Sequence, residues 1–383
     1  MDTLSKVSVS SVYVHAPFCS RRCFYCDFAV EVNSSGDLGA WTEALSGELR
    51  AVEREGVFVI SEALKTLYVG GGTPSLLGSE AMKSLAEVIG RNRLEDPELE
   101  WTAEANPESV THDLVEGWRK AGVNRMSLGV QSFDAQVLTW MGRLHGPDGA
   151  VRAVKAIKEA GVHNLSVDLI FGLPSRLTRC WRTDLYKVLE LDVPHINLYG
   201  LSIESDTPLG RSVRDGSEVP VNEGQYRDEY LAAVELLGNA GYQHYEVSSF
   251  SQPGFSSRHN SVYWDGRPYL GLGNAAHSYS DSYRRWNVRD WLSYSALATE
   301  TGVTWEKGEH LDVASRSLER LWLGLRTVFG LPIRDLDDPQ RLIIESWARE
   351  GWSVLEDERV RLTAEGWLVL DRLTLELDNA RAG

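Results

Sequence analysis

The sequence predicts an α/β fold: a partial barrel of βα units followed by a C-terminal winged-helix-like α+β module. From the N-terminus to about Phe250, short apolar β-type runs alternate with longer helical patterns, the signature of repeated βα units around a parallel sheet. Past Ser251 that alternation stops. About six units fall short of the eight that close a complete barrel, so the expected architecture is an open, partial (βα)6 barrel, with a doubly wound sheet as the alternative. Either one places the site on loops after the C-terminal strand ends.

In chain order, the strand candidates are 11–15, 66–70, 99–103, 125–129, 165–170 and 195–201, with a weaker one at 244–247. Helix candidates are 41–55, 79–91, 111–121, 149–160, 181–191 and 223–240. Thr111 precedes an amphipathic run as an N-cap, and Gly122, Gly161 and Gly241 follow the last turns of their helices as stops. Residues 252–281 are rich in Gly, Ser, Pro, Tyr and His and read as ordered loop. Helical runs at 314–329 and 335–350, a hairpin of 352–355 with 359–362, and a return to helix over 363–373 make the terminal module. The expected units are 1–250, the barrel; 251–311, a loop-rich segment packing on it; and 312–383, the winged-helix-like module.

With 383 residues, 43% hydrophobic and 25% charged, the chain can bury one large core or two smaller ones. Asp and Glu number 55 against 39 Lys and Arg, a formal charge of −16, and such a field opposes nucleic-acid backbones and anionic membranes. Winged helices can bind DNA, but here Asp and Glu are interspersed through the module without a dense Lys/Arg run, which favours packing or partner contact. No apolar run of about 18 residues occurs, so no membrane span is expected. Without a signal-peptide pattern the default address is the cytoplasm, where thiols stay reduced.

Three of the four cysteines, Cys19, Cys23 and Cys26, form a C-x3-C-x2-C pattern directly after the first strand. Soft thiolates suit zinc or an iron–sulfur cluster. A structural zinc wants four protein ligands; the nearest fourth candidates are His15 and Asp27, while Cys180 falls in a predicted helix as a packing residue. Three ligands without an obvious fourth point to a cubane-type cluster with one iron open to an exogenous ligand. Gly70-Gly71-Gly72-Thr73-Pro74-Ser75 follows the second strand, where glycines let backbone groups approach a ligand. Glu104, Gln131, Arg143 and Asp168 fall at or near successive strand ends and converge on one mouth, which suits a charged ligand. Taken singly, Glu104 could pair with a lysine, Arg143 could be solvated and Asp168 could cap a helix. In Ser257-Arg258-His259-Asn260-x2-Tyr263-Trp264, an exposed imidazole flanked by Tyr and Trp could ligate an iron and cover a flat macrocycle. The alternative, preferred for His277, is a satisfied structural histidine.

Tyr13-Val-His15-Ala-Pro-Phe-Cys19-x3-Cys23-Phe-Tyr-Cys26-Asp27-Phe28 resembles the cluster loop of the radical S-adenosylmethionine (radical SAM) superfamily. More narrowly, it resembles the branch containing oxygen-independent coproporphyrinogen III oxidase and the HemW heme chaperones. The resemblance covers nearly the whole chain. It implies that the three cysteines hold a [4Fe–4S] cluster whose fourth iron is chelated by SAM. It further implies that Tyr13, Gly71, Gly72, Thr73, Glu104, Gln131, Arg143 and Asp168 contact SAM, and that His259, in the HNxxYW hallmark, engages heme. One departure is Gly273-Asn274-Ala275-Ala276, where relatives show Gly-Pro-Gly-Ala.

Within this branch the oxidase carries a further cysteine two residues after the third, where this chain has Phe28, and a longer N-terminal arm, whereas 18 residues precede Cys19 here. Both departures point to a heme chaperone that binds the cluster, SAM and heme and passes heme to apo-proteins such as respiratory cytochromes, with an electron donor as a further partner. Oxidase activity itself is not expected; the alternative is other chemistry of the branch, methylation or cyclopropanation through a 5′-deoxyadenosyl radical. Delivery to respiratory proteins implies proximity to a bilayer, and so peripheral membrane contact, which the net charge does not favour.

Overall fold

Residues 6–381 are described by the computed structural model of the chain. Six strands, β1 (Ser11–Ala16), β2 (Thr66–Gly71), β3 (Glu100–Ala105), β4 (Arg125–Gln131), β5 (Asn164–Phe171) and β6 (His195–Gly200), each overlap a predicted strand. Every one pairs in parallel with its sequence neighbour, from β1 on β2 through β5 on β6. Because the order never reverses, each right-handed crossover lays its helix on the same face; a doubly wound sheet would reverse at a switch point. The architecture is therefore the partial barrel.

The strands alternate. Val12, Leu67, Ala103, Met126, Val167 and Ile196 are 0% exposed on the outer face, where they share one core with Leu45, Leu85, Val115, Ile157 and Leu185 of the surrounding helices. The opposite parity is polar: Tyr13, Tyr68, Glu104, Ser127, Asp168 and Asn197, one from each strand, face inward. Burial of the outer face holds the fold, and the inner face is left to hold a ligand. The helix ends follow sequence chemistry: the Thr111 hydroxyl accepts from Leu114 N at 3.2 Å, and Gly122, Gly161 and Gly241 take φ of 123°, 87° and 88°.

Three further strands extend the sheet to nine. A hairpin of β7 (Gln243–Glu246) and β8 (Ser249–Ser251) adds antiparallel to β6, and β9 (Leu270–Leu272) pairs in parallel with the free side of β1. The strand β9 and helix Arg258–Trp264 lie where ordered loop was expected. At 3 and 7 residues, these elements are too short to show a period. Beyond them, His277–Ser280, Tyr283–Asn287 and Trp305–His310 form an antiparallel sheet, with helix Trp291–Glu300 inserted. Cys180 also differs from expectation: it is the exposed N-cap of helix Trp181–Glu190 rather than a packing residue.

The C-terminal module comprises helices Val313–Leu325 and Asp338–Arg349, the hairpin Ser353–Glu356 with Arg359–Leu362, and helices Ala364–Trp367 and Leu370–Asn379. It buries its own core around Leu325, Trp347, Val360, Leu373 and Leu377. Backbone bonds tie it to the β7 end of the sheet: Val247 N donates to Arg326 O at 3.2 Å, and Val328 N donates to Tyr245 O at 3.1 Å. No described helix is long and apolar enough to cross a membrane.

Candidate functional site

At the C-terminal ends of the strands a cavity of about 480 Å³ opens, as a parallel sheet of this topology requires. The loop after β1 forms one side of it. Two-residue strands Phe18–Cys19 and Glu31–Val32 pair in parallel and close this loop, aided by Asn33 N donating to Cys19 O at 2.9 Å. Cys19, at the end of the first of these strands, and Cys23 and Cys26, in the loop between them, are half-buried free thiols lining the cavity. Burial pushes the Cys19 thiol up to about 11, and the nearby Cys26 and Cys23 add to the rise. Burial likewise raises Cys26. Burial and neighbouring sulfurs oppose ionisation of Cys19 and Cys26, a condition that a bound metal relieves.

A single tetrahedral zinc with Zn–S bonds of about 2.3 Å would draw its sulfurs to within about 4 Å of one another. The three thiols do not converge to 4.8 Å; the one group of His, Cys, Asp or Glu ligand atoms that does, among the described residues, is His112, Asp113 and Glu116 on an exposed helix start. Wider spacing of three thiolates suits the separate corners of an iron–sulfur cube.

Glycines at the exit of β2 bring the next wall close. A Cβ on Gly71, whose φ is 110°, would lie 2.3 Å from the His15 ring, and one on Gly72 would lie 2.6 Å from Pro17 O. Thr73, held by Asn106 Nδ2 donating to its hydroxyl at 3.0 Å, stands 3.5 Å from Cys19 Sγ. Glu104 receives Tyr68 OH at 2.7 Å and Gly71 N at 3.1 Å. Burial nevertheless pushes its carboxyl up to about 7. Asp168 accepts from Asn197 Nδ2 at 2.7 Å and Ser127 Oγ at 3.1 Å, and burial raises it too.

Two groups carry unpartnered atoms. Gln131 sits in the left-handed region at φ 69°, where a bulge breaks the β4–β5 register, and its Oε1 is buried without a partner. Arg143 is fixed by Nη2 donating to Asn106 Oδ1 at 2.7 Å and Gly129 O at 2.5 Å, leaving its buried Nε free. A buried acceptor and a buried cationic donor left open are what an absent ligand bearing both an ammonium and a carboxylate would satisfy.

Ten of the residues singled out from sequence therefore meet at one cavity: Cys19, Cys23 and Cys26, then Gly71, Gly72 and Thr73, then Glu104, Gln131, Arg143 and Asp168. Tyr13 stands behind this wall, 6.1 Å from the Tyr68 ring and bonded to His15 Nδ1 at 3.0 Å. His259 is elsewhere. The exposed imidazole expected from sequence is 0% exposed at the N-terminal end of the barrel, with Nδ1 on the Thr66 hydroxyl and Nε2 on the Tyr263 hydroxyl, both at 2.8 Å. Helix Arg258–Trp264 presses it against β2, so both ring nitrogens are occupied. Sequence reasoning missed Asn106, Ser127, Asn197 and Tyr199. For the three that lie on strands the available signal was parity, since polar residues recur along the inward-facing positions.

The family model of the radical SAM superfamily matches residues 13–185. Heme chaperone HemW of Lactococcus lactis is 33% identical over 367 residues, covering 94% of each chain. Its namesake in Escherichia coli is 36% identical over 284 residues, 71% of this chain and 70% of its own. Among solved structures, coproporphyrinogen III oxidase (HemN) from Escherichia coli, a radical SAM enzyme, superposes with a TM-score of 0.81 over 98% of this chain and 92% of its own, at 21% identity, a likeness of fold. With a third of its residues shared along nearly its whole length, the chain belongs to the HemW family of the radical SAM superfamily.

Proposed function

We propose that this protein is a heme chaperone: it holds a [4Fe–4S] cluster and SAM in the cavity, binds heme, and passes heme to apo-proteins such as respiratory cytochromes, acting from the cytoplasm and drawing on an electron donor. The observation that carries the cofactor reading is the set of open valences in one cavity. Cys19, Cys23 and Cys26 offer three thiolates to the cluster and leave one coordination position to the amino-acid end of SAM. Gln131 and Arg143 line the cavity, and their Oε1 and Nε, which lack a protein partner, are the acceptor and donor offered to its ammonium and carboxylate. Glu104 and Asp168 can receive its hydroxyls. When bound, this pair supplies one-electron cleavage of a sulfonium bond. The chain's own part is to orient the ligand and keep water from it.

The heme reading rests on the relatives' printed names and on the rim. Phe28 is 62% exposed and Leu144 47%, and both line the cavity mouth, which gives a flat apolar macrocycle somewhere to lie. Phe28 also puts a phenyl ring where the oxidase pattern has a sulfur. The three units 1–250, 251–311 and 312–383 are read as site, support and partner-contact module.

The test is an anaerobic titration of reconstituted protein with hemin, with and without SAM, followed by mixing with an apo-cytochrome. We expect about four irons per chain, lost in Cys19→Ala, Cys23→Ala or Cys26→Ala, together with a hemin Soret shift and transfer to the apo-cytochrome. Zinc without sulfide would overturn the cluster. Decarboxylation of coproporphyrinogen III in the presence of SAM and a reductant would overturn the chaperone.

A further inference from the structure

The turn that ends β4 is bent against its own preference. Gln131 takes a φ of 69°, and across it Ser132 N donates to Val130 O at 2.9 Å. A three-residue turn closed over a positive φ is the rare, strained form, and a residue with a Cβ keeps it only where its surroundings over-determine it. Gln131 lines the cavity, and its buried Oε1 has no hydrogen-bond partner among the described residues. The strained residue is thus also one with an acceptor to offer a ligand.

The restraint comes from a helix outside the cavity. Asp184, in the first turn of helix Trp181–Glu190, is 2% exposed. Its carboxylate takes the two residues that follow Gln131: Ser132 Oγ donates to Oδ2 at 2.7 Å, and Phe133 N donates to Oδ1 at 2.8 Å. The Ser132 hydroxyl is used twice, since Asp134 N donates to it at 3.0 Å. Arg179 answers the buried charge, its Nη1 donating to Asp184 Oδ2 at 3.3 Å and to Ile170 O at 3.2 Å, its Nη2 to Glu229 Oε2 at 2.9 Å. That Glu229 oxygen also accepts from Gly172 N at 2.8 Å. One guanidinium therefore ties down the exits of both β4 and β5, and pairing of this kind is what lets carboxylates stay buried. Neither Asp184 nor Arg179 lines the cavity, so the network can act on a ligand only through the residues it holds.

We propose that Asp184 is a positioning residue of the ligand site, holding Gln131 in its left-handed conformation so that the side-chain acceptor stands ready for the ammonium of SAM. The proposal rests on the reading of the cavity as a SAM site. The β4–β5 ladder fixes the chain before the turn, and Asp184 fixes it after. With both ends set, the strain at Gln131 is met in folding rather than at the moment of binding.

SAM binding to anaerobically reconstituted protein is measured by calorimetry for wild type, Asp184→Asn, Ser132→Ala, Gln131→Ala, and Asp184→Asn combined with Gln131→Ala. The control ligand is 5′-methylthioadenosine, which carries the nucleoside but no amino-acid end. We expect Asp184→Asn to bind SAM about tenfold more weakly, the effect of one hydrogen bond to a charged group, with methylthioadenosine binding and iron content unchanged. Ser132→Ala leaves Asp184 paired with Arg179 and Phe133 and guards against a folding failure in the first variant; it should lose SAM affinity about threefold. The combined variant should bind no more weakly than Gln131→Ala alone, because a residue acting through Gln131 has nothing left to position. Equal weakening of both ligands, or losses that multiply in the combined variant, overturns the proposal. Crystal structures of the ligand-free proteins separate the two readings. If wild type does not bind SAM, the SAM reading fails, while a Gln131 that leaves positive φ in Asp184→Asn or Ser132→Ala sustains the positioning role and one that keeps it overturns that role.

Discussion

His259 has no valence to spare. Its imidazole lies between the Thr66 and Tyr263 hydroxyls, its amide donates to Glu100 Oε1 at 2.9 Å, and burial pushes its pKa down to about 3. Such a group is neutral in the folded protein and is charged by acid only in the unfolded chain. The stability it contributes is therefore complete above the ordinary histidine pKa of about 6.5 and is lost progressively as pH falls from there toward 3. His259→Ala leaves a cavity and two unpartnered hydroxyls, so at pH 8 it should cost about 2–4 kcal/mol. The gap from wild type should narrow below pH 6.5, because the variant no longer carries the histidine penalty. Urea unfolding at pH 8 and pH 5 checks this, and in the folded variant the Soret position with hemin should match wild type. A gap that widens in acid, or a lost Soret shift, would restore His259 as a ligand. The motif's residue types alone could not show this packing: His, Tyr and Trp at these spacings serve a ligand site or a polar plug equally, and the contact with β2 exists only in three dimensions.

Among the elements, the strand–turn junctions carry the chemistry. Gly72 lets the exit of β2 lie against the cysteine loop, its own amide donating to Ala16 O at 2.8 Å while the next amide, Thr73 N, donates to Phe18 O at 2.7 Å. A methyl at Gly72 would meet Pro17 O at 2.6 Å, so Gly72→Ala should push the loop outward and separate the thiols. Because the outer hydrophobic face is untouched, reconstituted iron content should fall to less than half while thermal stability shifts by only a few degrees, in line with a local cost of about 1–3 kcal/mol. Full iron occupancy would show that the loop adapts. The long elements were legible because apolar periodicity runs through each of them, and the ten cavity residues were legible because parallel strands must deliver their C-terminal ends to one mouth. The segment from 251 to 311 was not, since β9 takes its place by filling the open edge beside β1 and three residues display no period. Asn106 escaped notice for a related reason: it follows β3 in a turn, and its role in linking Thr73 to Arg143 exists only in three dimensions.

Over the whole molecule the charge of −16 sets how the protein meets its surroundings. It is not confined to one tail: acidic residues lie throughout the barrel, the middle segment and the terminal module, and many pair with neighbouring arginines, as Arg227 does with Glu365 between the barrel helix and that module. Paired charges do not reduce the net value, so at physiological salt, where the screening length is about 8 Å, an anionic lipid surface still repels the approaching protein. No described helix offers a compensating apolar span, and the exposed apolar rim at Phe28 and Leu144 belongs to the cavity mouth. The net field therefore disfavours direct contact with anionic lipid. In co-sedimentation at 0.15 M salt, the reconstituted protein should stay in the supernatant with vesicles of anionic lipid and equally with zwitterionic ones. Lowering the salt should deepen the exclusion from anionic vesicles, because the screening length grows to about 30 Å at 0.01 M. Pelleting with anionic vesicles that strengthens as salt falls would instead reveal a basic membrane-facing patch strong enough to overcome the global field.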